Sequence, residues 1–133
     1  MNKRIILDTN IFVAAAFNPN SHAARIVQAV RNGDLNLVWN EATRRESQAV
    51  VEGIPPIEWE PFDGLFQQEW EYTDDTFPAL FDAVPDPADR KFAALADFSL
   101  STLISNDDHL LSVRDCLRTP VMTAVEFAEK ELA

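Results

Sequence analysis

Lys3-Arg4-Ile5-Ile6-Leu7-Asp8-Thr9-Asn10 is the stretch that decides how the chain is read. Three large aliphatic residues in a row stop abruptly at an acid. A strand with one wet face alternates apolar and polar residues. An unbroken apolar run is the pattern of a strand buried on both faces, as in a parallel sheet. Outward from this strand, Thr9 to Phe17 reads as a helix that Asn18-Pro19-Asn20 breaks. Ser21 caps a second helix carrying Ala24, Ile26, Val27 and Val30, which ends near Asn32-Gly33. Leu35 to Trp39 is a second strand, and Asn40 caps a third helix running to about Val51.

The middle of the chain is harder to read. Gly53 to Pro56 is a break, and Phe62 to about Tyr72 is expected as a short helix from the spacing of Leu65, Phe66 and Glu69. Asp86-Pro87-Ala88-Asp89 is a strong helix start: an acid caps, proline fits the first helical position, and a second acid sits in the first turn. Phe92, Ala93, Leu95 and Ala96 supply that helix's apolar face. Leu100 to Ser105 and Val121-Met122 read as further strands, and Thr123 with Glu126 forms a capping box for a last helix. Strands alternating with helices imply a three-layer α/β/α sandwich around a central parallel sheet. The length of 133 residues fits one domain, residues 1–133.

Composition narrows the function. The chain has 22 Asp and Glu against 11 Lys and Arg, for a net charge of −11. Phosphate neutralisation supplies much of the affinity of nucleic-acid coating proteins, so this balance argues against one. It does not argue against an enzyme whose carboxylates hold cations that in turn hold phosphate. Most of the excess reads simply as solubilising surface. The lone Cys116 permits no internal disulfide and no cysteine zinc site. No segment approaches the ~20 apolar residues of a membrane span. Met1 to Leu7 lacks the features of a signal peptide, so a cytoplasmic protein with no membrane association is expected.

Ligand sites in open parallel sheets lie outside the carboxyl ends of the strands. Asp8 ends the first strand, Asp107 lies two residues past Ser105, Asp89 sits in a first helical turn, and Glu46 lies on the helix after the second strand. Right-handed crossovers can carry these four to one edge. The chemistry gives them a purpose: a phosphodiester repels hydroxide, and divalent cations on oxygen ligands remove that barrier. Without a cation, mutual repulsion should raise the carboxylates' pKa values. Each acid also has a plainer reading. Asp8 can merely end its strand, Asp89 can serve the helix dipole, Glu46 can be a solvated helix residue, and Asp107 can be a turn or cap residue. Taken alone, the residues lead only to an acidic, metal-binding edge.

The same residues resemble the PIN-domain family, in particular the VapC-like toxin components of bacterial toxin–antitoxin systems. Ile6 to Ala15 looks like the family's first strand, which ends in an acid followed by Thr-Asn. Asn40 to Glu46 is similar to its second motif, Asp86 to Ala96 to its third, and Leu103 to Leu111 to its fourth. Thr119 to Phe127 is similar to its last strand and helix. The match weakens from about Glu52 to Val84. The resemblance implies a Mg²⁺ or Mn²⁺ site and endoribonuclease activity on RNA. Asp8, Glu46, Asp89 and Asp107 would be the catalytic acids, with Asp8, Asp89 and Asp107 on the metal. Thr9, Asn10 and Ser105 would support them by hydrogen bonding. It further implies an antitoxin that covers the acidic pocket, a task to which an arginine is suited, and a homodimer.

Other residues are weighed beside these. Asp86 reads as the helix cap, Asp108 as exposed, and Glu41 as a first-turn dipole residue rather than a rival to Glu46. Arg44, Arg45, Arg90 and Lys91 lie near the acids in sequence and either contact substrate phosphates or are solvated helix residues. His109, beside Leu110 and Leu111, invites a general-base role, but a structural role is preferred. Trp39, Trp59 and Trp70 read as packing residues rather than base-stacking platforms. Two other functions compete. One is a PIN-like binding or assembly module that has lost cutting. The other is a small-molecule phosphohydrolase of the haloacid-dehalogenase type, which needs an Asp-x-Asp start; here Asn10 stands at the second acid's position.

Overall fold

The computed structural model describes residues 2–132. Four strands, β1 (Lys3–Leu7), β2 (Leu35–Leu37), β3 (Thr102–Ile104) and β4 (Val121–Met122), form one sheet in the order β2-β1-β3-β4. Every pairing is parallel, with Ile5 opposite both Leu37 and Thr102, and Leu103 opposite Val121. The apolar run of β1 is buried throughout its last three residues because the strand is central and covered on both faces.

Side chains alternate across the sheet, so each strand feeds two cores. Ile5, Leu7, Leu35, Leu37 and Ile104 face one layer, made by α1 (Thr9–Phe17), α2 (His22–Arg31), α3 (Glu41–Glu52), α4 (Glu60–Asp63) and α7 (Ala124–Glu131). Ile6, Leu103 and Val121 face the other, where α5 (Arg90–Ser99) contributes Phe92, Leu95 and Ala96 and α6 (Asp108–Leu111) contributes Leu110. The result is the expected three layers with a central parallel sheet.

Local codes explain most helix starts. The Ser21 hydroxyl accepts from the Ala24 amide, Asn40 and Thr43 form a capping box, and Thr123 and Glu126 form another. Asp86 caps as expected, accepting from the Ala88 amide. The first turn after it, Pro87–Asp89, is a 3₁₀ turn, and regular α-helix begins at Arg90. Asp107 caps the short helix α6 through its own side chain.

Three expectations need correction. No helix spans Phe62 to Tyr72. Instead α4 stops at Gly64, Leu65 and Phe66 turn into the core, and a 3₁₀ turn covers Gln68–Trp70. Phe66 stacks on Trp59 with ring centroids 5.3 Å apart and meets Phe12 at 5.7 Å, so aromatic packing overrides helical spacing. The second strand ends at Leu37, because Trp39 leaves the sheet to bridge Glu71. The third strand begins at Thr102, because Leu100 is the left-handed cap of α5 with φ 55°. Trp39 and Trp59 are buried and hydrogen-bonded through their indole N–H groups to Gln67 and Asp63.

Candidate functional site

Strand order reverses between β1 and β3: from β1 the chain first builds outward to β2, then returns to place β3 on β1's other side. The crevice beyond the carboxyl ends of these two strands is where open parallel sheets bind ligands. Asp8 stands there, its amide still in the ladder through a 3.0 Å bond to the Ile104 carbonyl. Ser105 stands opposite. Its hydroxyl donates to Asp8 Oδ2 at 2.7 Å and accepts from the Asp107 amide at 3.0 Å, so one buried side chain ties the first acid to the fourth motif.

Asp89 enters from the turn that opens α5, and Glu46 from α3. Asp8 is 3% exposed and Asp89 7%. Burial pushes both carboxyls up to about 6. The Ser105 hydrogen bond pulls Asp8 back down, while the charge on Asp107 raises both acids further. Glu46 also raises Asp8, and Asp8 and Asp86 raise Asp89. Each of the four acids separated along the chain therefore lies within electrostatic reach of at least one other. Asp89 carries the clearest mark of a missing partner: its Oδ2 is buried with no hydrogen bond. Buried carboxylate oxygens normally find a donor or a cation, and this donor set is all hard oxygen apart from one imidazole.

These features fit a family found independently. A family model described as PIN domain matches residues 4–109. The chain belongs to the PIN-domain family. PIN domains are in general nucleases and typically use divalent metal ions. Two solved structures share the PIN fold. A chain of VapBC2 from Rickettsia felis, bound to a DNA fragment from their promoter, superposes with a TM-score of 0.55 at 14% identity, covering 90% of this chain and 96% of that one. A chain of FitAB bound to an IR36 DNA fragment gives 0.57 at 15% identity, covering 90% and 94%. No curated protein sequence matches the chain.

In this PIN domain the remaining candidates fall into place by their partners. Lys91 Nζ lies 2.6 Å from Glu46 Oε1, so the second-motif acid is ion-paired within the protein. Arg44 pairs with Asp63 at 2.7 Å and lies over the Phe66 ring, Arg45 pairs with Glu41 at 2.9 Å, and Arg90 donates to the Val84 carbonyl. These three arginines are occupied within the fold, and Glu41 is turned to solvent beside Arg45. The Thr9 hydroxyl bonds Ser47 at 2.9 Å, tying α1 to α3 rather than touching an acid; its backbone serves Asp8. Asn10 is exposed, and among the described residues no hydrogen bond ties it to the acids. A depression of about 650 Å³, lined by Gln48, Glu52, Trp59 and Asp63 among others, lies along α3 and α4 and holds none of the four acids.

His109 stands closer to the acids than its neighbours Leu110 and Leu111 suggest. Its Nδ1 lies 3.6 Å from Asp107 Oδ1 and 3.7 Å from Asp89 Oδ2. The signal was available: an N-cap acid accepts from the amide two residues on, which here is His109, at 2.8 Å. That bond keeps residue 109 beside its cap. Asp86, Asp89 and His109 each offer a donor atom within 4.8 Å of the others. Among the described residues, no helix is long and apolar enough to cross a membrane.

Proposed function

We propose that this PIN domain is a divalent-cation-dependent endoribonuclease, hydrolysing RNA phosphodiester bonds with Mg²⁺ or Mn²⁺, and the toxin of a toxin–antitoxin pair. The observation that carries the reading is the convergence of Asp8, Asp89 and Asp107 at the strand-order reversal, with a buried Asp89 oxygen left unpartnered. Asp8, Asp89 and Asp107 would hold the cation, which supplies charge neutralisation at the phosphate and Lewis acidity toward water. Ser105 fixes Asp8 and the start of the Asp107 loop in one geometry. Glu46, near Asp8 and gripped by Lys91, is assigned the proton from attacking water. The acids need no covalent bond to substrate in this scheme. The likeness to chains of VapBC2 and FitAB supports an antitoxin partner, and an arginine on it would suit the acidic rim. Residues 1–133 then form one nuclease domain, which acts in the cytoplasm as a homodimer.

The test is cleavage of single-stranded RNA by purified protein with Mg²⁺, Mn²⁺ or EDTA. Wild type is expected to cut only with a cation, and Asp8→Asn or Asp107→Asn to lose at least about a hundredfold in rate while melting cooperatively. Cleavage in EDTA, or full activity in either variant, overturns the reading. One observation favours a second reading, an inactive PIN-like binding or assembly module: Lys91 already neutralises Glu46. Such a module shows no saturable Mn²⁺ binding at this rim.

A further inference from the structure

His109 is out of place as a packing residue. Its side chain is 55% exposed, yet its Nδ1 is held between two carboxylates. At 3.6 and 3.7 Å neither contact is a hydrogen bond. The imidazole is thus close to both acids and bonded to neither. Donor atoms around a small cation at ~2.0–2.2 Å stand roughly 3–3.6 Å from one another. The gap between His109 and Asp89 is close to that spacing, and the Asp89 oxygen facing it is the buried one with no partner. Asp86 completes the group: one of its oxygens accepts from the Ala88 amide, which leaves the other free, and its donor lies within 4.8 Å of the other two.

We propose that His109 is a metal ligand, completing with Asp86 and Asp89 a cation position that shares Asp89 with the Asp8–Asp107 side of the rim. The inference rests on the reading of this rim as a cation site and deepens it by naming the class of ion. Mg²⁺ demands oxygen donors and keeps its waters, whereas an imidazole nitrogen favours later divalent ions. The position therefore selects Mn²⁺, Co²⁺ or Zn²⁺ over Mg²⁺. The main-chain bond from His109 to Asp107 Oδ1 fixes where the imidazole begins, and the exposed side chain is free to swing its nitrogen onto an ion shared with Asp89.

The experiment is metal binding by the intact chain, read without RNA. Pulsed EPR of stoichiometric Mn²⁺ should show a ¹⁴N coupling that His109→Gln removes. Calorimetric titration should show His109→Gln weakening Co²⁺ about tenfold or more while Mg²⁺ affinity moves less than about threefold. Asp108→Asn, an exposed neighbour, should leave both unchanged. Absence of a ¹⁴N coupling in wild type, or Co²⁺ affinity unaltered in His109→Gln, overturns the proposal. If Asp8→Asn and Asp107→Asn abolish binding while His109→Gln does not alter it, this inference alone falls. No stoichiometric binding by wild type would remove the cation-site reading as well.

Discussion

Asp8 shows how much a single side chain can be made to bear. A carboxyl at the end of a buried strand is desolvated, and its charged form is disfavoured. Its folded-state value of about 6 lies above the 3.8 of a free aspartate. The fold therefore holds the proton longer than the unfolded chain does. Raising the pH through this window removes stability, and the loss is complete once the folded carboxyl has ionised. At 1.36 kcal/mol per pKa unit the penalty at neutral pH reaches roughly 3 kcal/mol, less whatever relaxation or water entry relieves. Asp8→Asn keeps the shape and can still accept from Ser105 while deleting the charge. It should raise metal-free stability by about 1–3 kcal/mol at neutral pH, with the gain shrinking toward pH ~4. Thermal melts of both proteins across pH in EDTA measure this. A gain that grows on acidification would contradict the desolvation account. Divalent cation should stabilise wild type far more than the variant, because it relieves the repulsion that the substitution has already removed.

At the scale of elements, what was legible followed from codes that act over a few residues. The unbroken Ile5-Ile6-Leu7 run, the Ser21 and Asn40 caps and the Thr123–Glu126 box each point to their structure without help from the rest of the chain. The acids could be placed at one edge because strand ends and crossovers obey general rules. What failed was set by distant partners. Phe66 leaves helical geometry because Phe12 and Trp59 await it, and Trp39 leaves its strand because Glu71 pairs with it. The Lys91–Glu46 ion pair joins α5 to α3, a contact no local pattern announces. Leu100 is a further case. Glycine or asparagine commonly fills the left-handed position after a helix, and nothing about leucine signals one. Here the residue is 65% exposed and φ is 55°, so it takes the strain without gaining burial. The left-handed conformation costs an L-residue about 1–2 kcal/mol, and glycine's extra chain entropy offsets part of the relief. Leu100→Gly should thus stabilise the protein by roughly 0.5–1 kcal/mol in chemical denaturation. A destabilised variant would mean that the Leu100 side chain contributes packing which its exposure conceals.

For the molecule as a whole, the decisive quantity is the net charge of −11. RNA is a polyanion, and long-range Coulomb forces between like-charged bodies slow encounter and weaken binding. A nuclease usually answers with a basic track. Here Arg44, Arg45, Lys91, Arg114 and Arg118 are each paired with a carboxylate, so most of their charge is spent inside the protein's own surface. On the proposed reading, binding of RNA would come chiefly from cations held at the acidic rim, which would reverse the local sign where phosphate arrives. Affinity for RNA should accordingly depend on the divalent ion itself and not only on ionic strength. With a non-cleavable RNA at constant ionic strength, replacing EDTA by Mn²⁺ should tighten binding by about tenfold or more. The increment should vanish in the Asp89→Asn variant, whose rim loses the charge that two cation positions share. Fluorescence anisotropy of a labelled oligonucleotide reads both quantities. Equal affinity in EDTA and Mn²⁺ would place RNA on another face of the molecule and separate binding from the carboxylates altogether.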